Sequence, residues 1–235
     1  MSELRRALHS GDGVAMVTSV SAAGFDRRLQ LVGEVLIAAL DYAPAGADDL
    51  VGRCVAALRV RDWDGDQQLA DTLVQVRSGV GSELIELAVD LEQLADLLDA
   101  SHDSGPGRLD LVTGEAWPEV AFEDEWTDEP DDDEADDGER WLAVWPLGSR
   151  AAYRDMVDFA ATRTDAGLVD RLEIALDGRG AFGRFKHVLA DWPTDLQDWF
   201  AFSDDRRRGR ARAWLVDAGY RARPSRPRSH PDDAG

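Results

Sequence analysis

Hydrophobic residues in the first third of the chain recur every three or four positions, the spacing that puts side chains on one face of an α-helix. One such stripe predicts a helix that ends before the turn sequence DYAPAG; it consists of Phe25, Leu29, Val32, Leu36, Ala39 and Leu40. Two further helices are predicted from Asp48 to Val60 and from Asp66 to Gly79. Residues 24–80 are therefore predicted to form a helical unit.

The first 23 residues give a weaker pattern. Arg5 and Arg6 precede the apolar stretch GVAMVTSVSAAG, an arrangement that imitates a secretion signal. The apolar core of that stretch is short and is interrupted by Thr18 and Ser19, so it does not meet the requirements of a signal peptide. Residues 1–23 are predicted to be a flexible leader.

Shorter apolar runs bounded by turn residues follow Gly81. LIELAVD is predicted to be a strand, LEQLADLLDA a short helix and GRLDLVTGEAWPEV a hairpin that turns at Thr113 and Gly114. A further strand is predicted at RWLAVWP, residues 140–146. Between them, Asp and Glu dominate residues 123–139, which bury too little apolar surface to offset the entropy of ordering. That segment is predicted to be a disordered loop.

Helical spacing returns after Ser149, which is a residue type that caps helices. Four helices are predicted, the third starting near Ala181 and the last near Asp205. Their proposed buried stripes include Tyr153, Met156, Val157 and Ala160 in the first helix, and Leu168, Leu172, Ala175 and Leu176 in the second. Residues 223–235 are rich in proline and arginine and are predicted to be a disordered tail.

These patterns together predict an α+β fold. It has an N-terminal helical unit, a small and mostly antiparallel sheet, and a C-terminal helical group, with the last two forming one domain over residues 81–222. The net charge of −21 disfavours general binding to nucleic acids or anionic membranes. No run reaches the about 18 apolar residues of a membrane span, so we expect a cytoplasmic protein.

Three glycines in DGRGAFGRF have the Gly-x-Gly-x-x-Gly spacing of a dinucleotide-binding loop. That loop functions only where it follows a strand and opens a helix. The preceding sequence LVDRLEIALD is helical by period, so we interpret Gly178 as a left-handed helix cap, Gly180 as part of the chain reversal and Gly183 as a residue inside the next helix. No cofactor is predicted.

Several segments resemble a known family. LDLVTGEAWPEV, SRAAYRDMVDFA, LDGRGAFGRFKHVLADWP and RARAWLVDAGY are similar to sequences of an uncharacterised bacterial protein family of the UPF series. The resemblance covers about residues 83–220, and the block from Gly178 to Lys186 is its most specific part. It implies a fold grouping and a bacterial origin, and it supplies no catalytic residues.

Other arrangements of functional residue types are better explained structurally. Asp62, Asp64 and Asp66 begin like a calcium loop, but Gln67 and Leu73 occupy its glycine and glutamate positions. Asp66 is instead expected to cap a helix. Asp155 and Asp158 are expected on a solvated helix face, the four histidines are scattered, and the one cysteine, Cys54, is expected to be a small buried hydrophobe. No catalytic or metal-binding residue is predicted.

Aromatic and cationic residues in the C-terminal third suggest an interaction surface, since aromatics and arginine are enriched at protein interfaces. The candidate interaction or anion surface consists of Arg179, Phe182, Arg184, Lys186, Trp192 and Trp199. Lys186 is the only lysine in the chain. The favoured function is a non-enzymatic interaction or regulatory module with an unknown protein partner. The alternative is an enzyme that binds a phosphorylated small molecule at the helix start near Ala181. The oligomeric state stays open.

A second cationic feature lies in the last predicted helix. Its arginines, with those of the tail, are expected to form a local cationic surface whose nearest counter-ion is the acidic loop; the helix contributes Arg206, Arg207, Arg208, Arg210 and Arg212. If the two meet, the loop masks a weak affinity for nucleic acid. Alternatively, both are solvated charge present for solubility. For the full-length chain, nucleic acid is not expected as a partner, and neither is a membrane.

Overall fold

The structure, a computed structural model, describes residues 3–101, 104–122 and 140–224, and these contain ten α-helices and five strands. The helices are α1 Glu3–Leu8, α2 Gly13–Ala23, α3 Leu29–Leu40, α4 Ala47–Arg61, α5 Asp66–Ser78, α6 Leu91–Leu98, α7 Ser149–Ala161, α8 Ala166–Leu176, α9 Ala181–Ala190 and α10 Pro193–Asp217. The strands are β1 Ile85–Ala88, β2 Gly107–Asp110, β3 Ala116–Trp117, β4 Trp141–Val144 and β5 Tyr220–Arg223. The predicted α+β class is confirmed.

The first five helices share one hydrophobic core. Helix α3 lies at its centre and is buried over most of its length. The predicted helices α3, α4 and α5 are confirmed. Cys54 of α4 is completely buried, which raises the pKa of its thiol to about 12. The interpretation of this cysteine as a buried hydrophobe is therefore confirmed.

The prediction of a flexible leader over residues 1–23 is wrong, because α1 and α2 pack against the same core through Leu4, Ala7, Met16 and Val20. The residues that interrupted the apolar pattern do not interrupt the helix. The Thr18 hydroxyl donates to the carbonyl oxygen of Val14, one turn earlier, at 2.8 Å. A polar side chain satisfied in this way is tolerated inside a helix.

Two separate strand arrangements follow. Strands β3, β2 and β4 form a three-stranded antiparallel sheet in that order, which confirms the predicted hairpin and strand. Asp110 stabilises the hairpin turn by accepting hydrogen bonds from the backbone of Val112 and Thr113. Strand β1 instead pairs in parallel with β5, with Ile85 opposite Tyr220.

Strand β5, which reaches into the start of the predicted tail, was not predicted. Arg223 is its last residue, so the prediction of a disordered tail over 223–235 is wrong at that position. Residues 225–235 lie outside the described part of the chain. The predicted acidic loop, residues 123–139, also lies outside it.

Helices α7, α8 and α9 form a third core with the start of α10. The predicted stripe of α7 is partly wrong: Met156 and Ala160 are buried, but Tyr153 and Val157 face outward and Phe159 takes their place. Gly148 is the N-cap of α7, so the predicted cap at Ser149 is displaced by one residue.

Helix α10 connects the three cores. It begins at Pro193 and not near Asp205 as predicted. Proline is compatible with the first turn of a helix, where the backbone N–H that it lacks has no partner within the helix. The helix runs for 25 residues and contacts α3, α5, α6, α7, α9 and β5. Within the described residues, no helix combines the length and the apolar character required to cross a membrane.

The predicted cationic surface on α10 is wrong, because its arginines are enclosed by carboxylates of the body. Arg208, Arg210 and Arg212 are only 3%, 9% and 2% exposed. Glu34 accepts from both Arg208 and Arg212, whereas Asp155 accepts from Arg210. These arginines therefore hold the helical unit and the C-terminal helices onto α10, and they do not present a free cationic face.

Candidate functional site

Helices α8 and α9 are joined by the glycine turn of residues 177–180. Gly178 and Gly180 have φ angles of 75° and 78°, a left-handed conformation that glycine adopts without the strain of a β-carbon. A helix, α8, precedes the turn, so the strand that a dinucleotide loop requires is missing. The structural interpretation of the glycine spacing is confirmed.

Arg184 holds this turn closed. Its guanidinium donates to the carbonyl oxygen of Ala175 at 3.2 Å and to those of Asp177 and Arg179, which lie at and just beyond the end of α8. A cation is favourable there because the last carbonyls of a helix are unpaired and carry partial negative charge. The donors of Arg184 are thus used for the turn and are not directed at an anion beyond the α9 start.

The other predicted surface residues do not form one site. Trp199 is 6% exposed and packs on Phe185 at a ring-centroid distance of 4.9 Å, so it belongs to the core and not to the predicted surface. Trp192 is half-buried below the guanidinium of Arg171. The remaining predicted residues, Arg179, Phe182 and Lys186, are exposed.

An apolar groove lies on the same helix pair. It encloses about 380 Å3, and its walls are almost entirely nonpolar. It is lined by Arg171, Ile174, Ala175, Gly183, Arg184, His187 and Val188. Ile174 is 74% exposed, although isoleucine is one of the residues most often buried. Of the predicted surface, only Arg184 lines this groove.

Gly183 of α9 is one of the residues that line the groove. It lies inside the helix, it has no positive φ, and a β-carbon built on it meets no other atom within 4 Å. Glycine at such a position costs about 1 kcal/mol of helix stability relative to alanine. The described fold gives no reason for a glycine here, and its consequence is an open groove beside Ile174.

The charges around the groove are of one kind. Its three charged or titratable lining residues, Arg171, Arg184 and His187, are all basic, and no carboxylate lines it. Arg171 also lies 3.7 Å from Asp191 in an exposed ion pair. Arg171 pairs with Asp191 and the guanidinium of Arg184 is directed at carbonyl oxygens of the turn, so the surface of the groove itself is nonpolar and not cationic.

The alternative function, an enzyme, places its binding site for a phosphorylated small molecule at the start of α9. A desolvated acidic pair facing this helix start would favour an enzyme; the carboxylates with shifted pKa values among the described residues, Glu86, Asp110 and Asp205, lie on β1, β2 and α10. Asp155 is 1% exposed, which corrects its predicted solvated position. It accepts hydrogen bonds from both Arg206 and Arg210 and is thus used in pairing with these two arginines.

The aspartates that begin like a calcium loop serve another purpose. Asp66 is fully buried and accepts hydrogen bonds from Arg61 and from the Gln30 amide at 2.8 Å. It is the first residue of α5, whereas Gly65 is the N-cap, so the predicted capping role is wrong. Across the described residues, no group of three His, Cys, Asp or Glu side chains is placed to bind a metal.

A larger cleft, of about 450 Å3, lies between the helical unit and the hairpin turn. Its most buried cation, Arg208, is paired with Glu34 at 3.1 Å and with Glu92 at 2.8 Å. Its four carboxylates, Glu34, Asp90, Glu92 and Glu115, outnumber its two arginines, Arg5 and Arg208, so this cleft is polar and acidic. The groove of α8 and α9 has almost entirely nonpolar walls, which makes it the stronger candidate for a contact with another protein.

Comparison with known proteins identifies relatives of this chain. A family model described as "Uncharacterised protein family (UPF0158)" matches residues 85–223. A Pseudomonas aeruginosa protein named as a UPF0158 protein is 31% identical over 136 residues, which cover 56% of this chain and 83% of the relative. No solved structure matches the chain. The matched region contains the α8–α9 groove and excludes helices α1–α5.

Proposed function

The chain belongs to the uncharacterised protein family UPF0158, and we propose that it is a non-enzymatic interaction or regulatory protein of the bacterial cytoplasm. Its partner contacts the α8–α9 groove. The observation that carries this proposal is the pairing of an isoleucine that is 74% exposed with a helix glycine that leaves open space beside it. Exposed apolar surface of this kind is typical of protein-binding sites when it forms a contiguous patch.

The position of the groove supports a role in the family domain, because both of its helices lie within residues 85–223. The Pseudomonas relative supports a bacterial origin.

The proposal is tested by a charge placed in the groove. Ile174→Glu puts a carboxylate at an exposed position, so the fold is retained while an apolar contact is lost. Val60→Glu is the matched control, because Val60 is 87% exposed on α4, outside the groove. Proteins that co-purify with the wild type from its own bacterium should also co-purify with Val60→Glu and be depleted with Ile174→Glu. Identical partners for all three would refute the groove as the contact surface.

The rival function is an enzyme that binds a phosphorylated small molecule at the start of α9. Free N–H groups at a helix start favour an anion, and Lys186 lies within the same helix. A thermal-shift series with inorganic phosphate and phosphate monoesters separates the two functions. The interaction protein shows no rise in melting temperature. A rise that disappears in Lys186→Ala and remains in Ile174→Glu would favour the enzyme.

A further inference from the structure

We infer that the open edge of strand β4 pairs with the same strand of a second copy of this chain. The two strands run antiparallel and join two three-stranded sheets into one, in the order β3-β2-β4-β4-β2-β3. This inference goes beyond the proposed function, since the edge of β4 and the α8–α9 groove lie on different elements. It assigns a partner to the edge and thereby an oligomeric state to the chain.

The backbone of β4 is paired on one side. Strand β2 lies antiparallel beside it, and among the described elements no strand pairs with its other side. In the register of this pair, the backbone N–H of Leu111 donates to the carbonyl oxygen of Arg140. Alternate residues of an antiparallel strand direct their N–H and C=O groups to the same neighbour. The even-numbered residues of β4 therefore bond to β2, whereas the N–H and C=O of Ala143 point to the open edge.

The side chains of this edge do not protect it against pairing. Proteins commonly protect an edge strand with charged residues, lysine above all. Residues 141–147 have the sequence WLAVWPL and contain no charge. Ala143 is exposed, and so are two large apolar side chains beyond it, Trp145 at 66% and Leu147 at 45%. An uncharged edge with exposed apolar side chains is a template for a further strand.

The sequence of the edge selects a second copy as the occupant, because it is complementary to its own reverse. Residues 141–145 read WLAVW forwards and WVALW backwards. Antiparallel pairing about a twofold axis at Ala143 places Trp141 opposite Trp145 of the second copy. It also places Leu142 opposite Val144, and Ala143 opposite itself. Each residue thus meets one of its own class, as the self-complementary contact of a symmetric dimer requires.

The same register fits the backbone and both faces of the sheet. Ala143 meets Ala143, so each edge-facing N–H donates to an edge-facing carbonyl oxygen. Val144 is completely buried and Leu142 packs against the same core, so their pairing extends the core face. Trp141 and Trp145 lie on the opposite face, since side chains alternate along a strand. There they form cross-strand aromatic pairs, which stabilise sheets, and the exposed Trp145 side chain becomes covered.

The oligomeric state of the full chain tests the inference. Sedimentation velocity over a concentration series should show a reversible monomer–dimer equilibrium, because a short strand pair buries a small interface. The dimer should strengthen as salt is raised, since salt screens the repulsion between two chains of net charge −21. A chain that stays monomeric at every concentration and salt level would overturn the inference. If Ala143→Lys then removed a cellular partner from that monomer, the edge would bind a strand of another protein.

Two substitutions of Ala143 block the pairing in different ways. Ala143→Pro removes the edge-facing N–H, and proline is tolerated in an edge strand where that N–H faces away from the sheet. Ala143→Lys puts like charges opposite each other in the dimer, on a side chain that is exposed in the monomer. Each should weaken the dimer at least about tenfold. Val60→Lys, the matched control at an exposed site on α4, should dimerise like the wild type.

A cross-link tests the register without relying on a loss of binding. The Cα atoms of a hydrogen-bonded antiparallel pair lie about 5.5 Å apart, within reach of a short bismaleimide. Ala143→Cys should therefore give a covalent dimer at concentrations where the wild type dimerises, and Val60→Cys should not. Cys54 is completely buried and is not expected to react.

The outcomes are distinct from those of the proposed function, which depends on Ile174. If Ala143→Pro and Ala143→Lys retain their circular dichroism spectra and still dimerise like Val60→Lys, the dimer uses another surface and the inference is wrong. If either variant is unfolded, the cross-link decides: a wild-type dimer in which Ala143→Cys does not cross-link excludes pairing at this edge.

Discussion

At the scale of single residues, two glycines of one turn sequence differ in what they do for the fold. Gly178 ends α8 with a φ angle of 75°, whereas Gly183 lies inside α9 with no positive φ. At both positions a β-carbon would project into open space, so crowding does not distinguish them. Only the backbone conformation distinguishes them, so alanine is expected to destabilise the fold at Gly178 and to stabilise it at Gly183.

We expect Gly178→Ala to lower the free energy of unfolding by about 1 kcal/mol or more, because a β-carbon strains the left-handed conformation. Gly183→Ala should raise it by up to about 1 kcal/mol through helix propensity. Thermal melts of the two variants and the wild type measure both changes. A stabilised Gly178→Ala would show that the left-handed cap does not hold the turn.

Asp110 gives a prediction about acid stability. The guanidinium of Arg140 lowers the pKa of this carboxyl to about 2, with backbone hydrogen bonds from Val112 and Thr113 contributing. A carboxyl whose pKa is lower in the folded state stabilises the fold above its unfolded pKa of about 3.9, and that contribution is lost as the pH falls toward about 2. Arg140→Met should raise the pKa of Asp110, as followed by a carboxyl NMR titration. An unchanged titration would mean that the backbone donors suffice.

At the scale of elements, α10 and the α4–α5 connection meet through two glycines. A β-carbon on Gly209 would lie 2.1 Å from the carbonyl oxygen of Asp64, and one on Gly65 would lie 2.1 Å from the carbonyl oxygen of Gly209. Backbone cannot move away as a flexible side chain does. This contact sets how closely the helical unit approaches α10, and with it the buried ion pairs on either side.

Gly209→Ala should therefore lower the free energy of unfolding by more than about 2 kcal/mol, as measured by urea denaturation. Gly183→Ala is the matched control, because it is the same substitution inside a helix with no neighbouring backbone. Equal stability of the two variants would contradict the close contact.

The same junction contains a buried charge network centred on Arg61, which pairs with Asp66 and Asp205. Burial raises the pKa of Asp205, and the charge of Arg61 opposes that rise. Arg61→Met leaves two buried carboxylates without their cation, which should cost about 3–5 kcal/mol.

The pH dependence of Arg61→Met follows from the raised pKa of Asp205. An acid with a higher pKa in the folded state binds its proton more readily there, so the fold is more stable at lower pH. Urea denaturation of Arg61→Met should show part of the lost stability recovered as the pH falls toward about 5, with the wild type recovering less. A loss independent of pH would indicate packing by the Arg61 side chain and not its charge.

The helices with a continuous apolar stripe could be predicted from the sequence, and α3, α4, α5, α8 and α9 are confirmed. Helix α2 was missed because Thr18 hydrogen-bonds within the helix, which a count of apolar positions does not reveal. Strand β5 was missed because its partner β1 lies more than a hundred residues away. The start of α10 was missed because an internal proline suggested a connection when it is the first residue of the helix.

The candidate site was predictable only in part, because it depends on contacts between elements and not on one segment of sequence. The segment around Gly178 was identified by its residues, but the groove depends on how α8 and α9 are placed side by side. Ile174 offered one signal, since it lies off the buried stripe of α8 that contains Leu168 and Leu172. A large aliphatic residue on the polar side of an amphipathic helix indicates either a contact with another molecule or a single exposed apolar side chain. The space beside Ile174 is visible only in the structure.

At the scale of the whole molecule, charge that looks segregated in the sequence is paired in the fold. The arginines of α10 are bound by carboxylates from the helical unit, α6 and α7, including Glu34, Asp99 and Asp155. Neutralisation therefore comes from the described body itself. The acidic residues 123–139 are not needed to neutralise these arginines. On α10 there is no free cationic face for them to mask.

This pairing predicts how the protein behaves toward nucleic acid. Removing residues 124–138 takes away acidic residues but leaves a net negative charge, and it does not free Arg208, Arg210 or Arg212, which stay buried. Affinity for a polyanion requires exposed cations that replace its counter-ions. We therefore expect a fluorescein-labelled oligonucleotide to bind negligibly to both the full chain and the deletion variant across a salt series. Salt-sensitive binding by the deletion variant alone would show that the segment masks cations elsewhere, and Arg226 and Arg228, outside the described residues, would then be the first to replace.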